Sequence, residues 1–140
     1  MTNSERQLIR ESFAGIAPIT GPLSLLFYGR LFELDPSMRQ MFRGDIALQG
    51  RKLMDMLATV VDNLDRLDTI QPALHAMGQR HVAYGVLPAH YDTVQNAMIW
   101  ALGQALEDGL TLDARAAWRS VLSSLSEGMK AGAAQLTQNS

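Results

Sequence analysis

Cysteine is absent from this 140-residue chain. That excludes disulfides, thiolate chemistry and cysteine-based zinc sites. Charged residues are sparse at 19%, sum to a net −2 and form no basic stripe, which argues against a nucleic-acid-binding surface. No apolar run approaches the roughly 20 residues that a bilayer-crossing helix needs, so no membrane span is expected. The opening residues, Met1-Thr2-Asn3-Ser4-Glu5, lack the charged-then-apolar pattern of a secretory signal. A soluble, cytoplasmic protein is the expectation. Proline is scarce, with five residues against eight Met and many Ala and Leu, and that balance favours helices throughout. What the chain does have is apolar side chains, at 47% of residues. Its length suits one domain, 1–140, able to bury about two-thirds of its unfolded surface.

Hydrophobic spacing divides the chain into seven helices, one very short. Ser4 with Gln7 suggests a capping box before a helix over about Glu5–Ala17, ended by Pro18. Thr20-Gly21-Pro22 opens a second helix to about Leu34. Asp35-Pro36 reads as a cap and first turn for a short helix ending near Phe42. Arg43-Gly44-Asp45 signals a turn before a helix over about Ile46–Leu64, with Leu53, Leu57, Val60 and Val61 on one stripe. Asp68 with Gln71 suggests a cap for a helix over about Thr69–Ala83, which Gly85 stops. Pro88 opens a helix to about Gln104, and Thr111 caps the last, about Leu112–Leu136. Short connections between them predict an all-α domain with closely packed neighbours.

Motifs for other chemistries are missing. There is no HExxH pair, no di-iron carboxylate–histidine spacing, no glycine-rich phosphate loop and no G-x-S-x-G elbow. Of three histidines, His81 shares a helix side with Leu74 and Met77 at steps of three and four. It is either a buried neutral histidine bonded to a backbone carbonyl or a metal ligand. His75 falls off that side, and His90 sits in the first turn of the next helix; both read as surface residues. Tyr28 lies within an apolar stripe and needs a partner for its hydroxyl. Gln49 heads the stripe that continues as Leu53 and Leu57, at the rim of the core or in a cavity. The spacing alone leaves these alternatives open.

Four segments together resemble a globin over about residues 4–134, most of all bacterial single-domain haemoglobins and the globin domain of flavohaemoglobins. They are Phe27-Tyr28-Gly29-Arg30-Leu31-Phe32 through Pro36 to Phe42; Gln49 to Leu53 with Leu57; Gly78-Gln79-Arg80-His81-Val82-Ala83-Tyr84-Gly85-Val86; and His90-Tyr91-Asp92-Thr93-Val94. The resemblance implies a globin fold packed around haem b. It implies His81 as the iron ligand, Phe42 as the aromatic that wedges the haem, and Tyr28 and Gln49 as distal donors to bound O₂. Leu53 and Leu57 on the distal helix, and Val86, Tyr91, Val94 and Met98 on the proximal and deep side, are the implied haem contacts. Lys52 is the implied propionate partner, with Arg80 similar. Two features depart from the family pattern. The Phe42–Gln49 segment is about three residues shorter, and the acidic partner of the proximal histidine is replaced near Ala133, with Glu127 more than a turn away. The implied function is reversible binding of O₂, with NO and CO as further ligands. The alternative is NO dioxygenation, which would need a separate reductase because no flavin or nicotinamide domain is present. Nothing in the sequence sets the oligomeric state.

Overall fold

The computed structural model describes residues 1–42 and 44–138, with side chains to residue 136. Six α-helices account for most of it: α1 (Asn3–Ile16), α2 (Thr20–Leu34), α3 (Ile46–Asp62), α4 (Gln71–Ala83), α5 (Pro88–Leu106) and α6 (Leu112–Gln138). The expected short third helix is a 3₁₀ segment, Pro36–Met41, with Asp35 accepting from the Ser37 N–H at 3.1 Å. The all-α expectation holds, and the described residues include no strand.

Two expected starts move. The first cap is Thr2, not Ser4: its hydroxyl accepts from the Glu5 N–H at 3.1 Å, and the Glu5 carboxylate accepts from the Thr2 N–H at 3.0 Å. A carboxylate at that position makes a charge-assisted bond and also suits the positive end of the helix dipole, which Gln7 does not. Asp68 caps nothing. Leu64–Ile70 is a 3₁₀ segment kinked at Arg66, and α4 begins at Gln71 with Pro72 in its first turn. Proline there lacks only an N–H that has no helical partner anyway. Thr111 behaves as expected, accepting from the Ala114 N–H at 3.1 Å. Of the Arg43-Gly44-Asp45 turn, Arg43 lies outside the described residues. Asp45 caps α3 through the Ala47 N–H at 2.9 Å.

The core gathers Ile9 and Ile16 of α1, Leu23 and Leu31 of α2, Leu57 of α3, Ile99 and Leu102 of α5, and Trp118 and Val121 of α6. Trp118 is fully buried, and its indole N–H donates to Ser12 Oγ at 2.8 Å. Ser12 passes the bond on to the Leu8 carbonyl at 2.7 Å. A buried indole N–H left without such a partner would be costly, so this serine answers a need created by its distant neighbour.

The membrane expectation meets one contrary feature. Asn3–Leu34 runs as a nearly continuous helical stretch, and its most apolar window meets the length and composition of a membrane span. Ser12–Gly29 carries no charge. The stretch is broken at Ala17–Ile19 around Pro18, and 33% of that window is buried against the rest of the chain.

What matters for a site is which helices pack together. α4 lies mainly on α6, α2 on α5 and α3, and α1 on α6. α3 and α4 scarcely meet, although one 3₁₀ segment joins them. The helix carrying Gln49 and the helix carrying His81 are therefore held by different partners.

Candidate functional site

His81 lies in the last turn of α4, half-buried. Its Nδ1 is 2.6 Å from the Met77 carbonyl, one turn earlier. A carbonyl only accepts, so Nδ1 carries the proton, and Nε2 keeps its lone pair. Among the described residues Nε2 has no hydrogen-bond partner. Burial lowers the histidine's pKa; the Met77 bond works the other way, and Arg80 adds to the lowering. The imidazole is thus held neutral, in one tautomer, with one nitrogen available. The two alternatives left open by the sequence are compatible: the carbonyl-bonded nitrogen is the one that a ligand does not use.

The end of α4 fixes that imidazole further. The Val86 N–H donates to the His81 carbonyl at 3.1 Å, and the Gly85 N–H to the Val82 carbonyl at 3.0 Å. This is a Schellman cap, and Gly85 supplies the left-handed residue it needs, at φ 88°. The Tyr84 ring stands edge-on to His81 with centroids 5.8 Å apart. Beyond the cap, the Leu87 N–H donates to His90 Nδ1 at 2.9 Å, while His90 Nε2 faces Asp35 at 3.8 Å. His90 was read as a surface residue, but its side chain is only 11% exposed and ties the start of α5 to the end of α2.

The second group of residues is aromatic. Tyr28 lies 5.3 Å from Phe42 between ring centroids, 6.0 Å from Phe32 and 5.0 Å from Phe27. Phe32 and Phe42 also meet, at 5.6 Å. The cluster locks the Tyr28 ring, which is 5% exposed, yet its hydroxyl has no hydrogen-bond partner among the described residues. Burial pushes its pKa up to about 12, so the phenol stays a neutral donor. α3 reaches this cluster through Gly50. A Cβ there would lie 2.8 Å from Ser24 Oγ and 3.8 Å from Tyr28 Cε2. Gln49, next to that glycine, is half-buried, and its amide also has no partner among the described residues.

The remaining expected residues divide by burial. Leu57, Tyr91 and Met98 are in the core; Leu53, Val86 and Val94 are partly buried against it. Lys52 and Arg80 are exposed. The Tyr91 pKa is raised by burial, and Lys130 Nζ stands 5.8 Å from its ring centroid while pairing with Glu127 at 3.7 Å. Tyr28, Phe42 and the α3 backbone beside Gln49 are brought together, whereas His81 belongs to a separate group built on α4 and α6. Sequence reasoning missed Gly50, the Met77 carbonyl and the role of His90. A glycine interrupting an apolar helical stripe, as Gly50 does between Ile46 and Leu53, is the signal that would have found the first.

Known proteins share this fold. The family model for globins matches residues 25–129. Neuroglobin-1 of Oncorhynchus mykiss is 28% identical, with 94% of this chain and 92% of the relative covered. Cytoglobin-1 of Oryzias latipes is 25% identical, with 94% and 82% covered. Among solved structures, an engineered carbene transferase built on a candidate nitric oxide dioxygenase from Rhodothermus marinus superposes with a TM-score of 0.88. That match has 25% identity and covers 99% of this chain and 96% of the other. The chain belongs to the globin family, haem proteins that bind diatomic gases.

Proposed function

We propose that this chain holds haem b between α3 and α4, with His81 as the axial ligand, and binds O₂, NO and CO reversibly in the cytoplasm. The observation that carries the reading is the geometry of His81: Nδ1 lies 2.6 Å from the Met77 carbonyl, to which it can only donate, and Nε2 has no hydrogen-bond partner among the described residues. That donor fits an iron ion, and the marginal contact between α3 and α4 fits a group inserted between them. When bound, the haem would supply an iron able to take up a diatomic gas.

The chain's own residues do the rest. Leu53, Leu57, Val86, Val94 and Met98 supply apolar surface and exclude water, Phe42 wedges the ring, and Tyr91 walls the proximal side. Lys52, with Arg80 as a second cation, is exposed and would pair with the propionates of the bound haem. Tyr28 and Gln49 present a hydroxyl and an amide that have no hydrogen-bond partner among the described residues, both able to donate to a gas that carries partial negative charge. The decisive experiment is haem reconstitution with His81→Ala and His81→Gly. Wild type should show a Soret band and ferrous gas binding. His81→Ala should lose or alter them, and added imidazole should restore them in His81→Gly. A wild-type protein with no Soret band would overturn the reading.

NO dioxygenation is the second reading, favoured by the likeness to the Rhodothermus marinus protein. It consumes O₂ and NO to give nitrate and needs an electron for each turnover, which a reductase would supply. NO consumption with a supplied reductase, compared with autoxidation in its absence, separates the two.

A further inference from the structure

α4 and α6 meet backbone to backbone. A Cβ at Gly78 of α4 would fall on the carbonyl oxygen of Met129, and a Cβ at Gly132 of α6 would fall on the carbonyl oxygen of His75. The two glycines are reciprocal, each admitting the other helix's main chain. Gly128 makes a gentler approach, with its Cβ position 3.0 Å from Gln71 Oε1 and 3.1 Å from Leu74 Cδ1, both side-chain tips. The distinction is physical. A side-chain tip rotates away, but a helical carbonyl moves only if the helix moves. Packed interiors are nearly incompressible, so such a displacement is passed along rather than absorbed.

The displacement has a short path to the site. Gly78 precedes His81 by three residues on the same helix and adjoins Met77, whose carbonyl holds His81 Nδ1. The Schellman cap pins the other end of that turn. We infer that Gly78 and Gly132 are positioning residues for the iron ligand: they set how deeply α4 lies on α6, and hence the length and tilt of the bond from His81. The inference rests on the proposed role of His81. A methyl group at either glycine would shift α4 by about an ångström or more, because C···O contacts settle near 3.3–3.6 Å.

The test uses the haem-loaded protein with Gly78→Ala, Gly132→Ala and Gly128→Ala. The readout is the iron–histidine stretching band of the ferrous, gas-free form by resonance Raman, with O₂ dissociation as a second measure. Gly78→Ala and Gly132→Ala should both shift the band and change O₂ retention about fivefold, the lower end for a coupled element. Gly128→Ala should lower thermal stability and leave the band at the wild-type frequency. If Gly78→Ala does not fold, Gly132→Ala decides alone. Unshifted bands in the folded variants overturn the inference, and so does an equal shift in Gly128→Ala, which would indicate general loosening. A band that persists unchanged in His81→Ala instead defeats the ligand assignment beneath it.

Discussion

Tyr28→Phe separates function from stability: O₂ retention should change and the fold should not. The hydroxyl is the only atom removed. Its ring contacts with Phe27, Phe32 and Phe42 remain. Because the hydroxyl has no hydrogen-bond partner among the described residues, removing it breaks no bond within the chain. The hydroxyl oxygen is not among the fully buried atoms without a partner, so no desolvation penalty is relieved either, and the haem-free variant should keep a stability within about 0.5 kcal/mol of wild type. Bound gas is affected instead. The phenol, with its pKa pushed up to about 12, is a neutral donor, and a hydrogen bond to a charged group contributes about 1.5–3 kcal/mol. Losing it should speed O₂ release by about ten- to a hundredfold. Stopped-flow displacement of O₂ by CO measures the rate, and calorimetry of the haem-free protein measures the stability. An O₂ off-rate within about twofold of wild type, with haem properly bound, would refute the assignment of Tyr28 as distal donor. A Tm loss of many degrees would show instead that the hydroxyl has a structural partner.

Three further outcomes follow from the same coordinates. Ser12→Ala leaves the Trp118 indole N–H without its 2.8 Å acceptor and should destabilise the fold by about 1–3 kcal/mol, read by urea denaturation with tryptophan fluorescence. Gly85→Ala forces a left-handed φ of 88° on a residue with a Cβ; it should cost about 1 kcal/mol and disturb the iron–histidine band, since His81's own carbonyl is part of that cap. At high pH the unfolded Tyr28 phenol loses its proton near 10 while the folded one retains it to about 12. The unfolded state therefore binds fewer protons between those values, and stability falls as pH rises through the window. Denaturation curves over that range should be flatter in Tyr28→Phe, and equal slopes would contradict the burial of the phenol.

Much of the fold was legible because helices announce themselves through spacing and punctuation. Pro88, Gly85, Asp35 and Thr111 each mark an element end where the structure has one. The misplaced ends have local causes. Ser4 and Asp68 have plausible capping partners in sequence, but Thr2–Glu5 and Pro72 offer stronger competitors, and propensity alone cannot rank them. The candidate site residues were reached by a different route. Tyr28, Gln49 and His81 came from family resemblance, since periodicity gave only inward-facing polar residues. What stayed hidden were contacts between segments distant in sequence. No local pattern pairs Gly78 with Met129, Gly132 with His75 or Gly50 with Ser24, because each depends on how closely two backbones approach after folding.

The candidate site presents polar atoms of different chemistry. Away from it, Ser12 bonds to Trp118 and Leu8, and Ser24 to the Gly21 carbonyl at 2.9 Å, while the Nε atoms of Arg6 and Arg30 are buried without a hydrogen-bond partner among the described residues. In the candidate site the Tyr28 hydroxyl, the Gln49 amide and His81 Nε2 also have no partner among the described residues, and none of the three is a fully buried atom. Tyr28 is held by an aromatic cluster and His81 by the Met77 carbonyl, neither of which uses the open polar atom. Their chemistry also differs in a way that suits one bound group. The imidazole nitrogen offers a lone pair, whereas the hydroxyl and amide offer protons. A metal that takes the first and carries a ligand that accepts the others would satisfy all three at once.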